Sequence, residues 1–157
     1  MAEEIKDISL SNKKSFRIDG DNNRMIYLDT SDMNIAVRLE ETYPEIQKLA
    51  VEATDRMGGV KKITEDDLSG LGDMTAILKD IDRQMREKLD YIFASEISDV
   101  CEPTGNLFDV VGGEFRFERI IEALATLYAN NISAEFKKMQ DRVKKHTAKY
   151  TTKRGKR

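Results

Sequence analysis

One cysteine and one histidine are the only residues of this sequence that could together form a thiolate–imidazolium nucleophile. They are Cys101 and His146, and the chemistry needs the thiol within hydrogen-bond reach of the imidazole. The residues around Cys101 supply no base, and His146 lies among lysines. Because free cysteine is one of the most buried residue types, we expect Cys101 to pack as a small apolar residue and His146 to be solvated.

A partial calcium-loop pattern occurs at Asp19, Asp21 and Asn23, whose oxygen-bearing side chains alternate as at the start of an EF-hand loop. The remainder of that pattern fails, because Arg24 stands where the loop needs glycine and Thr30 where it needs glutamate. Aspartate, glycine and asparagine also favour tight turns. Turn chemistry explains these residues more simply, and we expect no metal site.

Two further patterns suggest chemistry without completing it. The acidic triplet at 65–67 lies beside serine and glycine, whereas acid–base catalysis needs two carboxyls in different environments. The glycine pairs at 58–59 and 112–113 are not followed by the Gly-Lys-Ser/Thr of a phosphate-binding loop. The sequence therefore predicts a protein that is not an enzyme and that has no cofactor.

The charges are strongly segregated along the chain. Residues 137–157 contain ten Lys/Arg against one acid, whereas residues 1–136 contain 16 against 28. Such a basic block solvates a terminus or binds an anionic surface. For the tail we weigh docking on an acidic protein surface equally with a solubilising helix end. Nucleic-acid binding ranks third, since the acidic body would repel a polyanion and Tyr150 is the one aromatic residue among the cations.

Size and composition favour a single soluble domain. A chain of 157 residues can bury a core without disulfides or bound metals. The mean hydropathy of −0.56 indicates a heavily solvated surface. No apolar run approaches the roughly 20 residues that span a bilayer. The acidic start, without an apolar segment, argues against a secretory signal, and a single cysteine fits a reducing compartment. We expect a cytoplasmic location and no membrane partner.

The first elements predicted are a hairpin and a helix. Runs at 15–18 and 24–28 alternate about a turn at 19–23, which predicts a β-hairpin with an inner face of Phe16, Ile18, Ile26 and Leu28. A cluster of N-cap residues at 29–32 then begins a helix that Gly58 ends. Its apolar stripe crosses Pro44, which indicates a kinked helix or two collinear ones: Ile35, Leu39, Tyr43, Ile46, Ala50, Ala53 and Met57.

Two further helices follow an acidic loop at 58–73. The second helix has a stripe of Ile77 or Leu78, Ile81, Met85, Leu89 and Ile92, with Asp82 and Arg86 on its opposite face. One short turn at 95–101 and a break at 102–106 come next. In the last helix, apolar residues recur with helical spacing from Phe117 to Val143. At about 1.5 Å per residue, this stretch of helix is about 40 Å long. A helix of that length projects from a small domain and can meet a partner.

Together these elements predict a mainly α fold. A short N-terminal β-hairpin packs on a small bundle of three to four helices, and a long C-terminal helix carries the basic tail. We divide the chain into a flexible N-terminus (1–13), one α-rich domain (14–143) and a disordered basic tail (144–157).

Several short motifs carry a family resemblance. They are the Phe16-x-Ile18-x-Gly20 hairpin, the Ser31-Asp32-Met33-Asn34 helix start, Met85-Arg86-Glu87 with Leu89, Ile92 and Phe93, and the ending Lys144…Lys149-Tyr150. Over residues 14–152 the chain resembles small tail assembly chaperones of phages and prophages of Gram-positive bacteria. It departs at Ala94, where the resemblance leads us to expect glycine, and in the more polar break at 102–106.

The resemblance implies an accessory protein that binds the long, coiled-coil-prone tape measure protein and keeps it soluble while the tail tube assembles. Two alternatives remain: a structural minor tail or connector protein retained in the virion, and a nucleic-acid-binding regulator that uses the basic tail. Other tail proteins and self-association stay open as partners. The contact region we predict is the last helix and tail: Leu124, Tyr128, Ile132, Phe136, Lys144, Lys145, Lys149, Lys153 and Arg154.

Overall fold

The computed structural model of this chain describes residues 3–10 and 12–155, with side chains described as far as residue 145. The described chain is mainly helical, with an N-terminal antiparallel hairpin followed by helices and a long C-terminal helix, as the sequence predicts.

The hairpin consists of β1 (Lys13–Ile18) and β2 (Asp21–Asp29). Phe16 pairs with Ile26, and the register shifts between Arg17 and Ile18. The predicted inner face is confirmed, since Ile26 and Leu28 are buried and Phe16 and Ile18 pack against the core. The turn is shorter than the predicted 19–23. Asp19 and Gly20 both have positive φ, the backbone of the two-residue turns that match strand twist.

Helix α1 (Asn34–Gly58) is a single helix that contains Pro44. The N-cap residue is Met33, one position after the predicted cluster, and it makes no side-chain cap hydrogen bond. The Asp32 carboxylate just before it accepts a hydrogen bond from the backbone N–H of Asn34 at 2.9 Å. The buried face differs from the predicted stripe, because Tyr43 is half-exposed while Thr42 and Leu49 are buried. Residues 35, 42 and 49 repeat every seven positions, which keeps them on the seam between two packed helices.

Helix α2 (Leu71–Phe93) packs antiparallel to α1, as three cross-helix contacts in reverse chain order show: Arg38–Ile92, Glu45–Lys88 and Arg56–Asp80. The predicted stripe is confirmed for Ile81, Met85, Leu89 and Ile92, which are fully buried. Ala94 ends the helix in the left-handed region at φ 49°. Glycine adopts that conformation without strain, and glycine is the residue that the resemblance led us to expect at this position.

The segment between α2 and the last helix contains α3 (Ser98–Cys101) and a minimal hairpin of β3 (Val110–Val111) and β4 (Glu114–Phe115). The predicted short helical turn is therefore present. Gly112 and Gly113 both have positive φ, as the turn of this hairpin requires. Leu107 and Phe108 lie in the core, so the polar break at 102–106 is followed at once by buried residues.

Helix α4 (Arg116–Gly155) has 40 residues, or about 60 Å at about 1.5 Å per residue. It runs on past Val143 through most of the segment 144–157, for which the sequence predicts disorder. No proline interrupts residues 144–155, alanine, lysine and arginine favour helix, and cations suit a helix C-terminus. The predicted division of the chain into terminus, domain and tail remains a prediction.

Candidate functional site

The first half of α4 belongs to the core of the protein. Phe117, Ile120 and Leu124 are 3%, 9% and 5% exposed. Phe117 also lies in an aromatic cluster with Phe108 and Phe115, with ring centroids 5.1 and 5.4 Å from its own. Such aromatic pairs stabilise beyond the area that they bury. This half of the helix is held by the body.

Among the described side chains, the contacts of α4 with the body end near Asn131. The Asn131 side chain donates a hydrogen bond to the Thr30 carbonyl at 3.1 Å and accepts one from Lys14 at 3.0 Å. One turn earlier, Tyr128 is half-buried, and burial, with the nearby Asp32 carboxylate, raises its pKa. These contacts fix the direction in which the rest of the helix leaves the hairpin.

Beyond this point the apolar stripe continues into solvent. Every residue from 133 to 145 is exposed, including Phe136 at 40%, Met139 at 45% and Val143 at 52%. Their spacing of three and four residues places them on one face of the helix. The outer part of the helix also carries a net positive charge, since residues 133–145 contain five Lys/Arg against the two acids Glu135 and Asp141. We call residues 133–145 the outer segment of α4 and residues 116–132 the inner segment.

The structure separates the predicted contact residues into four groups. Leu124 contacts the protein's own core, and Tyr128 and Ile132 are half-buried where the helix leaves the body. Phe136, Lys144 and Lys145 are exposed on the outer segment. The side chains of the remaining three lie outside the described residues: Lys149, Lys153 and Arg154. Partner binding by any of them remains a prediction.

Cys101 is a buried structural residue, as predicted. It is 8% exposed, and burial raises the pKa of its thiol to about 11. The Arg24 guanidinium donates to the Cys101 carbonyl at 2.6 Å and to the Val100 carbonyl at 3.0 Å. A protonated thiol is a poor nucleophile. The side chain of His146 lies outside the described residues.

The acidic residues examined for chemistry make local structural contacts. Asp19 forms an ion pair with Arg24 at 3.1 Å, and Asp21 accepts a hydrogen bond from the Asn23 N–H at 2.9 Å. In the 65–67 triplet, hydrogen bonds from Ser69 and Lys61 lower the pKa of Asp67 to about 2. Among the described side chains no three potential ligands form a metal-binding cluster.

Sequence reasoning missed the role of Arg86. Its pairing with Asp82 is present at 2.8 Å, but the pair is not on a solvated face. The Arg86 guanidinium also donates to the carbonyls of Ser98 at 3.1 Å and Gly105 at 3.0 Å, and Asp82 accepts from the Leu107 N–H at 2.8 Å. The signal available was the loop 102–106, whose polar backbone needs partners. Spacing along α2 could not show that α2 supplies them.

Comparison with protein-family models, with curated proteins and with solved structures gives no match to this chain. None of the helices in the described part of the chain combines the length and the hydropathy that crossing a bilayer requires.

Proposed function

We propose that this protein is a non-enzymatic phage or prophage tail assembly chaperone that binds amphipathic helices of the tape measure protein. The observation that supports the proposal is the outer segment of α4. It presents Phe136, Met139 and Val143 on one face of a helix that has left the protein's core. An apolar stripe without a covering surface is typical of an interaction site.

The geometry suits a helical partner. Residues 136, 139 and 143 occupy i, i+3 and i+7 positions, the spacing with which one helix packs against another. The net positive charge of the outer segment, five Lys/Arg against two acids, favours a partner helix with acidic residues. A long coiled-coil protein offers many such faces before the tail tube surrounds it. Each copy of the chaperone would cover one of them.

The same exposed segment supports a structural minor tail or connector protein that stays in the virion. Mass spectrometry of purified particles separates the two, since an assembly chaperone is absent from mature particles and a connector is present at stoichiometric level.

The exposed cations also favour a second class, a nucleic-acid-binding regulator. Lys137, Arg142, Lys144 and Lys145 are all solvent-exposed. If they neutralise phosphates, affinity for DNA falls steeply as salt increases. A flat salt dependence, or no binding at low salt, eliminates this class.

Co-expression with the tape measure protein tests the proposal. The wild-type chain is expected to hold that protein in the soluble fraction, and the variant Phe136→Ser/Met139→Ser/Val143→Ser is expected to lose this effect. A matched control replaces apolar residues that are at least as exposed elsewhere, Val51→Ser/Leu68→Ser/Val110→Ser. Equal solubility with both variants contradicts the proposal.

A further inference from the structure

The N-terminal segment, residues 3–10, carries three large apolar side chains that nothing covers. Ile5, Ile8 and Leu10 are 91%, 82% and 88% exposed. The segment forms neither helix nor strand, and it makes no hydrogen bond to another described residue. Isolated exposed apolar residues are ordinary. Three within eight residues give the segment enough apolar surface to enter a hydrophobic groove.

A groove of matching character lies between the hairpin and the inner segment of α4. Its volume is about 490 Å³. The apolar side chains of Phe16 and Ile18 line one wall, and those of Ile120, Leu124 and Leu127 line the other. No described part of the chain fills this groove, although it lies directly over the core.

The rim of the groove carries unpaired positive charge. Arg17 donates to the neutral Asn22 amide at 2.9 Å, and Arg119 forms no ion pair with a described residue. The other two cations nearby differ. Arg24 pairs with Asp19, and the Arg116 Nε lies 2.9 Å from a Glu102 oxygen, an ion pair whose N–H is not aligned for a hydrogen bond.

The N-terminal segment has the opposite charge. Glu3, Glu4 and Asp7 outnumber Lys6, and none of these carboxylates forms an ion pair with a described residue. An acidic, apolar segment and a basic-rimmed apolar groove are complementary in both polarity and charge.

We propose that the N-terminal segment of one copy of this chain binds the groove between hairpin and α4 of a second copy. The three apolar side chains enter the groove, and the carboxylates contact Arg17 and Arg119. A second copy is favoured over the same copy because the segment does not occupy the groove of its own chain. None of residues 3–10 lines that groove, and Ile5, Ile8 and Leu10 stay exposed.

Sedimentation equilibrium of the full chain, from low micromolar to near-millimolar concentration, tests this proposal. The wild-type chain is expected to associate, and Ile5→Ser/Ile8→Ser/Leu10→Ser is expected to stay monomeric. Arg17→Glu/Arg119→Glu should weaken association by roughly tenfold or more, since two exposed charge contacts become repulsive. The matched controls associate like wild type: Val51→Ser/Leu68→Ser/Val110→Ser for the segment and Lys48→Glu/Lys62→Glu for the groove.

Mixing the two variants gives the sharpest result. The segment variant retains an intact groove and the groove variant an intact segment, so an equimolar mixture forms one heterodimeric contact that neither variant forms alone. Adding Glu3→Arg/Glu4→Arg/Asp7→Arg to the groove variant restores association by reversing both charges. A wild-type chain that stays monomeric, a segment variant that still associates, or a mixture that remains monomeric would each overturn the proposal.

Discussion

The inner and outer segments of α4 continue one apolar stripe into two different environments. In the inner segment Phe117, Ile120 and Leu124 are buried in the hydrophobic core. In the outer segment Phe136, Met139 and Val143 have the same spacing and are exposed to solvent. Periodicity therefore identifies a face of a helix but does not identify what covers it. The proposed function follows from the half that is not covered.

The largest effect is expected from the anchor of the inner segment. Arg86→Met removes the partner of Asp82 and the donor to the carbonyls of Ser98 in α3 and Gly105 in the following loop. Leaving such a pair broken in a largely buried site lowers the free energy of unfolding by about 3–5 kcal/mol. Urea denaturation measures it. Arg83→Met is the control, because it removes an exposed ion pair on the same helix. Its free energy of unfolding should remain close to that of wild type.

The same variant tests how the inner segment of α4 is anchored. The Leu107 carbonyl accepts a hydrogen bond from the Phe117 N–H at 3.0 Å, and the Leu107 N–H donates one to Asp82. The start of α4 therefore depends on the loop that Arg86 binds. An Arg86→Met chain as stable as wild type would show that the inner segment is anchored by other contacts.

A direct comparison uses one truncation in each segment. Leu124→Ala should cost about 2–4 kcal/mol in the free energy of unfolding, since a buried leucine leaves a cavity. Phe136→Ala should cost well under about 1 kcal/mol, because the side chain is exposed. Chemical denaturation monitored by circular dichroism measures both. Similar losses for the two variants would mean that the outer segment is packed in the free protein.

A smaller and opposite effect is expected at the end of α2. Ala94 has φ 49°, a left-handed backbone that costs an L-residue about 1 kcal/mol relative to glycine. Ala94→Gly should therefore raise the free energy of unfolding of the body by about 0.5–1 kcal/mol, after the added entropy of glycine in the unfolded chain. The melting temperature measures the gain, and exchange of the outer segment should not change. A destabilised variant would contradict the assigned backbone strain.

The last effect appears only at alkaline pH and concerns the thiol beside the inner segment. Burial raises the pKa of Cys101 from 9.0 to about 11, so the folded chain holds the proton more tightly than the unfolded chain. The stability from this group is present below pH 9 and is lost as pH rises towards 11. Denaturation midpoints should fall less steeply over this range in Cys101→Ala than in wild type. Parallel profiles would place the thiol in a more polar site.

The sequence predicts the fold where local pattern and packing agree. Alternation identifies the inner face of the hairpin, and the 3.6-residue period identifies Ile81, Met85 and Leu89. It misses features decided by contacts distant in sequence. Thr42, and not the predicted Tyr43, is buried in α1. Arg86 donates to two backbone carbonyls that lie twelve and nineteen residues further along the chain. For the site, the stripe predicts which residues share a face. Only the packed body shows that Leu124 lies inside it and Phe136 outside.

Hydrogen exchange of α4, measured with and without the tape measure protein, tests whether the outer segment is uncovered in the free chain and binds this partner. In the free chain, amides of the inner segment should exchange slowly and those of residues 133–145 quickly, because only the former are in a packed helix. Adding the partner should slow exchange in residues 133–145 and leave the inner segment unchanged. Protection confined to any other region, with the outer segment still exchanging quickly, would contradict the account.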